Sequence, residues 1–201
     1  NSYLQQVESC KASLNLIHKE LLIPEKKIKL NNQSSQTSIR KELGDISLQD
    51  INFSFGEKQI LKNFNLEIKK NSVLGISGES GSGKSTLINI LLGLLEPKSG
   101  KILLDGLEVK NFQNEWQKNL GYVSQNIFLL DASLKENIAF GVVEEKIDYQ
   151  QLQKVIEYAN LNDFVKNLED GINTNIGEKG SKVSGGQIQR IGIARALYRD
   201  P

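Results

Sequence analysis

Gly78-Glu79-Ser80-Gly81-Ser82-Gly83-Lys84-Ser85 decides the reading of this chain. The stretch has the G-x-x-x-x-G-K-[ST] spacing of a phosphate-binding loop. Just before it, the apolar run Val73-Leu74-Gly75-Ile76 is too short for a helix and reads as a buried strand over 73–77. Just after it, Thr86-Leu87-Ile88-Asn89-Ile90-Leu91-Leu92 predicts a largely buried helix running from Lys84 to about Leu95. Strand, glycine-rich loop and helix in succession are the context in which the spacing means phosphate, rather than a flexible glycine–serine turn.

The residue types suit that chemistry. Gly78, Gly81 and Gly83 let the backbone bend, so that the amides of the loop, including those of Glu79, Ser80 and Ser82, form an anion nest. The unpaired amides and positive dipole end of the following helix, which starts Lys84-Ser85-Thr86, add to the attraction. Lys84 would reach the β- and γ-phosphates of a nucleotide as a compact charge. The Ser85 hydroxyl is a hard oxygen donor suited to Mg²⁺.

About a hundred residues later, Ser184-Gly185-Gly186-Gln187 opens a second helix, Gln187-Ile188-Gln189-Arg190-Ile191-Gly192-Ile193-Ala194-Arg195-Ala196-Leu197. Ser184 is a natural N-cap, and the two glycines permit close backbone approach. With both motifs in this order, the chain from about Ile46 to Pro201 resembles the nucleotide-binding domain of an ATP-binding cassette transporter. The family usually has Leu where Val183 stands, an apolar exchange of little consequence. The resemblance implies that the Ser184–Gln187 helix start closes on the γ-phosphate held by the phosphate loop of a second, opposed nucleotide-binding domain.

Two further positions carry the resemblance. Gly121-Tyr122-Val123-Ser124-Gln125 reads as a strand ending in the family's glutamine loop, which makes Gln125 the expected contact to Mg²⁺ or the attacking water. Taken alone, a Gln at a strand end is a surface residue; its spacing from the phosphate loop favours the functional reading. Phe55, 23 positions before Gly78, stands where the family places an aromatic that stacks on adenine. Phe keeps the π face and lacks the hydroxyl of the commoner Tyr. Phe55 also fits as a plain strand residue, since Ile46, Leu48, Ile51, Phe53 and Phe55 approximate strand alternation.

Gly177-Glu178-Lys179-Gly180 and the stretch Asp131 to Gly141 resemble exporter-type cassettes, with some similarity to flippases for lipid-linked oligosaccharides. In residues 1–24, Leu4, Val7, Cys10, Leu14, Ile17 and Leu21 recur at steps of three and four, an amphipathic helix that Pro24 ends. In exporters the last membrane helix continues into the cytoplasm in this way, joined to the ATPase by a linker; here that linker is 25–45, with a polar run from Asn31 to Ser38. The alternative is a free-standing amphipathic helix.

Composition excludes several classes. At 201 residues, 25 Lys and Arg against 24 Asp and Glu give a net charge of +1, with no basic footprint for nucleic acid. One cysteine supports no disulfide framework and suits a reducing compartment. No apolar run approaches the ~20 residues of a membrane span, and the absence of any Met reads as a piece of a longer polypeptide.

The expected architecture is an α/β phosphate-loop NTPase core, a mixed sheet with an antiparallel β subdomain. A helical signature subdomain occupies about 130–200, and the whole is C-terminally incomplete. Strands are expected near 46–55, 60–68, 73–77 and 101–104, with a short helix near Trp116 and a further strand ending at Gln125. By the resemblance, the strand carrying a second Mg²⁺-associated Asp and the catalytic Glu would follow Pro201. His18 lies before the phosphate loop and so cannot serve as the family's downstream switch histidine. The stretch alone is therefore expected to hydrolyse ATP poorly and to be unstable or aggregate. The function implied is an Mg·ATP-binding module of a membrane exporter, at the cytoplasmic face of the membrane. Its partners would be a second such domain and a transmembrane domain in the same polypeptide. The alternatives are a soluble cassette protein or a non-catalytic regulatory one.

Overall fold

The computed structural model describes residues 44–177 and 183–201. The amphipathic helix of 1–24, nearly all of the linker 25–45, and Glu178 to Gly180 of the exporter-like loop lie outside the described residues.

A four-stranded sheet in the order β2-β1-β3-β4 forms one side, with β1 at Ile46–Phe55, β2 at Lys58–Ile68, β3 at Ser99–Leu104 and β4 at Leu107–Glu108. Every pairing is antiparallel, with Leu48 opposite Leu66 on one flank and Ile102 on the other. This is the expected antiparallel subdomain. Along β1 the buried positions are Leu48, Ile51 and Phe53, a series that changes parity between 48 and 51. A strict two-residue period cannot do that, and the chain absorbs the extra residue in a bulge at Asp50, whose φ is 49°. Amide side chains fill the disrupted ladder: Asp50 N–H donates to Asn65 Oδ1 (2.9 Å), Asn63 N–H to Asn52 Oδ1 (2.9 Å), and Asn52 Nδ2 to Ser99 Oγ (3.0 Å).

The phosphate-loop helix runs Lys84–Leu91, one turn shorter than predicted, because the chain leaves it through a turn at Leu92 and Gly93. Only Leu87 and Ile90 are buried in it, packed on Leu48, Ile51, Phe53 and Leu61 of the sheet; the expected all-round burial is not found. Its last turn is held by the helix Gln113–Lys118. Gln113 Nε2 donates to the Gly93 carbonyl (2.8 Å), the Trp116 indole N–H to that of Leu91 (2.7 Å), and Gln117 Nε2 to that of Leu92 (3.1 Å). Positions i, i+3 and i+4 of one helix thus satisfy the orphan carbonyls at the end of another.

Two expected strands do not form. Residues 73–77 and 121–124 take no regular secondary structure and enter no sheet among the described residues. Val73 is fully exposed at 101 %, and Leu74, Ile76, Tyr122 and Val123 are exposed as well. A strand buried on both faces exists only where neighbours supply its ladder and cover its side chains.

From Leu134 onward the described residues are mainly helical, within the stretch of about 130–200 where a helical subdomain was expected. Helices Leu134–Ile138, Tyr149–Tyr158 and Asn162–Lys166 pack with the signature helix Gly185–Tyr198 around Leu129, Leu134, Leu152, Leu161, Ile176 and Ile191. Ser133 and Glu136 close a capping box at the first of these helices, and Asp148 caps the second through the amides of Gln150 and Gln151. The Tyr198 hydroxyl accepts the Asp148 N–H (2.8 Å), tying the last turn of the signature helix to that cap.

Candidate nucleotide site

Gly83 makes the turn from loop to helix. It is the N-cap, at φ 95°, and a Cβ there would lie 2.8 Å from Ile60 Cγ2. Both the left-handed backbone and the contact with β2 demand glycine. No side chain caps this helix start and no acidic residue lies in its first turn, so nothing anionic competes at its free amides. The first intrahelical bond is Leu87 N–H to Gly83 carbonyl (2.8 Å).

The Lys84 ammonium turns back over the loop. It donates to the carbonyls of Gly78 (2.8 Å) and Glu79 (2.7 Å) and lies 3.4 Å from Ser82 Oγ. A cation is thereby fixed in the concavity that Gly78 to Ser82 outline, with Ser82 N–H closing the loop on the Glu79 carbonyl (3.2 Å). Ser80, Gly81 and Ser85 are exposed and Thr86 is half-buried at the same end of the helix.

Phe55 ends β1 at the hairpin with 55 % of its surface exposed. It stands edge-on against Phe53, centroids 4.9 Å apart at 85°. Phe53 belongs to the cluster that holds Leu87 of the phosphate-loop helix, so the exposed ring is braced on the same packing unit as the loop.

At the signature helix, the Ser184 hydroxyl accepts the Gln187 N–H (3.3 Å) and Gln187 Oε1 accepts the Ser184 N–H (2.7 Å). This capping box employs the Gln187 side chain inside its own helix. A Cβ on Gly185 or Gly186 would meet no atom within 4 Å. Gln125 is exposed, at a bend that follows the irregular run 121–124.

Sequence reasoning missed Arg195 and Asn137. Asn137 is wholly buried, and its side chain bonds Leu130 N–H (2.8 Å), the Leu130 carbonyl (3.1 Å) and the Ser133 carbonyl (3.1 Å). Half-buried Arg195 donates Nε–H to the Asn137 carbonyl and an Nη–H to the Phe128 carbonyl, both at 2.8 Å, and its guanidinium lies 4.9 Å from the Phe140 ring. Burial pulls its pKa below the ordinary arginine value. No periodicity marks such residues.

Among the described residues there is no cluster of three His, Cys, Asp or Glu able to hold a metal ion, and no helix long and apolar enough to cross a membrane.

A phosphate loop on a helix braced by an antiparallel sheet, with a serine–glycine helix start on a separate helical bundle, defines a cassette-type nucleotide-binding domain. The ABC transporter family matches residues 61–201, and the chain belongs to that family. It is 40 % identical over 169 residues to the ATP-dependent lipid A-core flippase of Francisella tularensis, covering 84 % of this chain and 28 % of that protein. It is 41 % identical over 162 residues to ABC transporter B family member 21 of Arabidopsis thaliana, covering 79 % of this chain and 12 % of that protein. Among solved structures, a bacterial Atm1-family ABC exporter with ATP bound superposes with a TM-score of 0.73 at 31 % identity, over 79 % of this chain and 28 % of that one. The chain thus spans less than a third of each relative.

Proposed function

We propose that this chain is the ATP-binding part of a membrane exporter, acting as one half of a nucleotide-sandwiching pair. Lys84 and the amides from Glu79 to Thr86 take the β- and γ-phosphates, and Phe55 stacks on adenine. The Ser85 hydroxyl and the Gln125 amide oxygen are hard donors that fit Mg²⁺, which would keep waters and phosphate oxygens as its remaining ligands. Mg²⁺ there supplies charge neutralisation between the phosphates. Ser184, Gly185, Gly186 and Gln187 close on the γ-phosphate of a second copy or a homologous domain. By family resemblance, a transmembrane domain of the same polypeptide is the second partner, which puts this domain at the cytoplasmic face.

The observation that carries this reading is the pair of glycines at the signature helix start. Glycine is the poorest helix former after proline. Among the described residues, nothing beyond their chain neighbours and their own helix backbone lies near enough to require either one. Their smallness therefore suits something that arrives from outside, and the phosphate of a nucleotide held on another copy's phosphate loop is the matching anion.

The test is nucleotide binding by the full-length protein, read with a fluorescent ATP analogue. Lys84→Ala should weaken affinity at least tenfold, about 1.4 kcal/mol. Gly185→Asp should leave that affinity near normal and abolish ATP-dependent pairing. Undiminished affinity in Lys84→Ala would refute the assignment of the loop.

A further inference from the structure

Two independent contacts fasten the segment after Gln125 to the signature helix. Gly192 is buried on that helix, and a Cβ there would lie 2.5 Å from Ile127 Cδ1 and 3.0 Å from Ile127 Cγ1. A side chain at 192 would therefore displace Ile127. One turn further on, Arg195 grips the carbonyls of Phe128 and Asn137 with separate N–H groups, and a third nitrogen lies 3.3 Å from Asn137 Oδ1. Ile127 and Phe128 follow Gln125 by two and three residues, and Ser184 begins the helix that carries both Gly192 and Arg195.

The chemistry of the Arg195 contact is not that of a stabilising pair. Among the described residues it meets no carboxylate; its partners are carbonyl and amide oxygens and the Phe140 ring. Half-burying a guanidinium without a counter-charge is costly, and an apolar side chain would pack there at lower cost. What the planar fork provides, and an apolar side chain or a lysine does not, is two fixed donor directions. Those directions lock residue 128 to residue 137 and both to the helix. The buried Asn137 extends the lock to Leu130 and Ser133.

We propose that Arg195 is a positioning residue, with Gly192 as its companion. Together they hold the segment that follows Gln125 in one place against the signature helix, so that Gln125 in one site and Ser184–Gln187 facing the other move as a unit. This rests on the nucleotide-sandwich reading above. Neither residue touches nucleotide. Their effect falls on the step after ATP binding, when both ends of the unit must be in register.

The experiment uses the full-length protein in lipid, with kcat and KM for ATP and the melting temperature measured for each variant. Arg195→Lys keeps the charge and the stem but lacks the fork. It should lower kcat about tenfold with KM within about twofold of the parent. Its melting temperature should fall by no more than ~3 °C. Gly192→Ala should lower kcat similarly by displacing Ile127, and Ile127→Ala in the same chain should restore at least half of it. An unchanged kcat in folded Arg195→Lys overturns the proposal, as does a loss of kcat matched by an equal loss of folded protein. If Arg195→Lys does not fold, the Gly192 and Ile127 pair decides: no loss, or loss without rescue, overturns it. Lys84→Ala separates the two readings. Retained nucleotide affinity there removes the nucleotide site itself, whereas lost affinity beside an undiminished Arg195→Lys kcat removes only the coupling.

Discussion

The described residues of 127–198 close around their own core, whereas the runs 73–76 and 121–124 leave apolar side chains bare. Leu129, Leu134, Leu161 and Ile191 are wholly out of water; Val73, Leu74, Tyr122 and Val123 are exposed. The contrast shows where each kind of element finds its stabilisation. A helix satisfies its own backbone bonds and needs only one face covered, which neighbours close in sequence can supply. A central strand needs foreign backbone on its edges and packed layers on both faces. Sequence alone gives Val73-Leu74-Gly75-Ile76 the apolar character of such a strand, but character does not supply partners.

Hydrogen exchange on the 201-residue chain is the most direct way to break this contrast. Amides from Ile188 to Leu197 should open at a cost of several kcal/mol, while those of 73–76 and 121–124 should exchange at nearly no cost. Equal protection in both regions would end the distinction. A pair of truncations sharpens it. Ile191→Ala should destabilise the helical bundle by about 3–4 kcal/mol. Val73→Ala should change stability by less than ~0.5 kcal/mol in the same chain. Next in size is Asn137→Ala, which strips the Leu130 N–H of its partner inside the core and should cost about 2–3 kcal/mol. Ser184→Ala removes one arm of a capping box at an exposed helix start. It should cost ~1 kcal/mol, seen as faster exchange at Gln187 and its neighbours.

The smallest effect concerns pH. The Ser133 hydroxyl and N–H hold the Glu136 carboxyl below the ordinary glutamate range. A depressed folded pKa means that the stabilisation is complete above the unfolded value, about 4.3, and is lost as pH falls through the folded one. Glu136→Gln should therefore lower stability near neutrality by a few tenths of a kcal/mol, a difference that vanishes as pH falls through the folded pKa and so flattens the acid limb.

Much of the local structure at the candidate site was legible because its motifs are short. The phosphate loop, its helix and the Ser184 cap are each written in fewer than ten consecutive residues, and the structure forms the loop and both helix starts where the spacing puts them. The helical bundle was legible for the same reason. The bulge at Asp50 was visible in part, since Leu48 and Ile51 cannot share a face of a regular strand. The strand at 73–77 was misread because burial is a property of neighbours. Arg195 and its fork escaped because its partners at 128 and 137 are 67 and 58 positions away and are backbone oxygens, whose placement no residue letter records.

Trp116 carries one more consequence. It is the single tryptophan in these 201 residues, 1 % exposed, and its indole N–H is bonded to the final turn of the phosphate-loop helix. Its emission should be blue-shifted by the dry surroundings and should change when that hydrogen bond lengthens. Filling the loop at the other end of an eight-residue helix can thus be followed by light from the chain itself, without any attached dye.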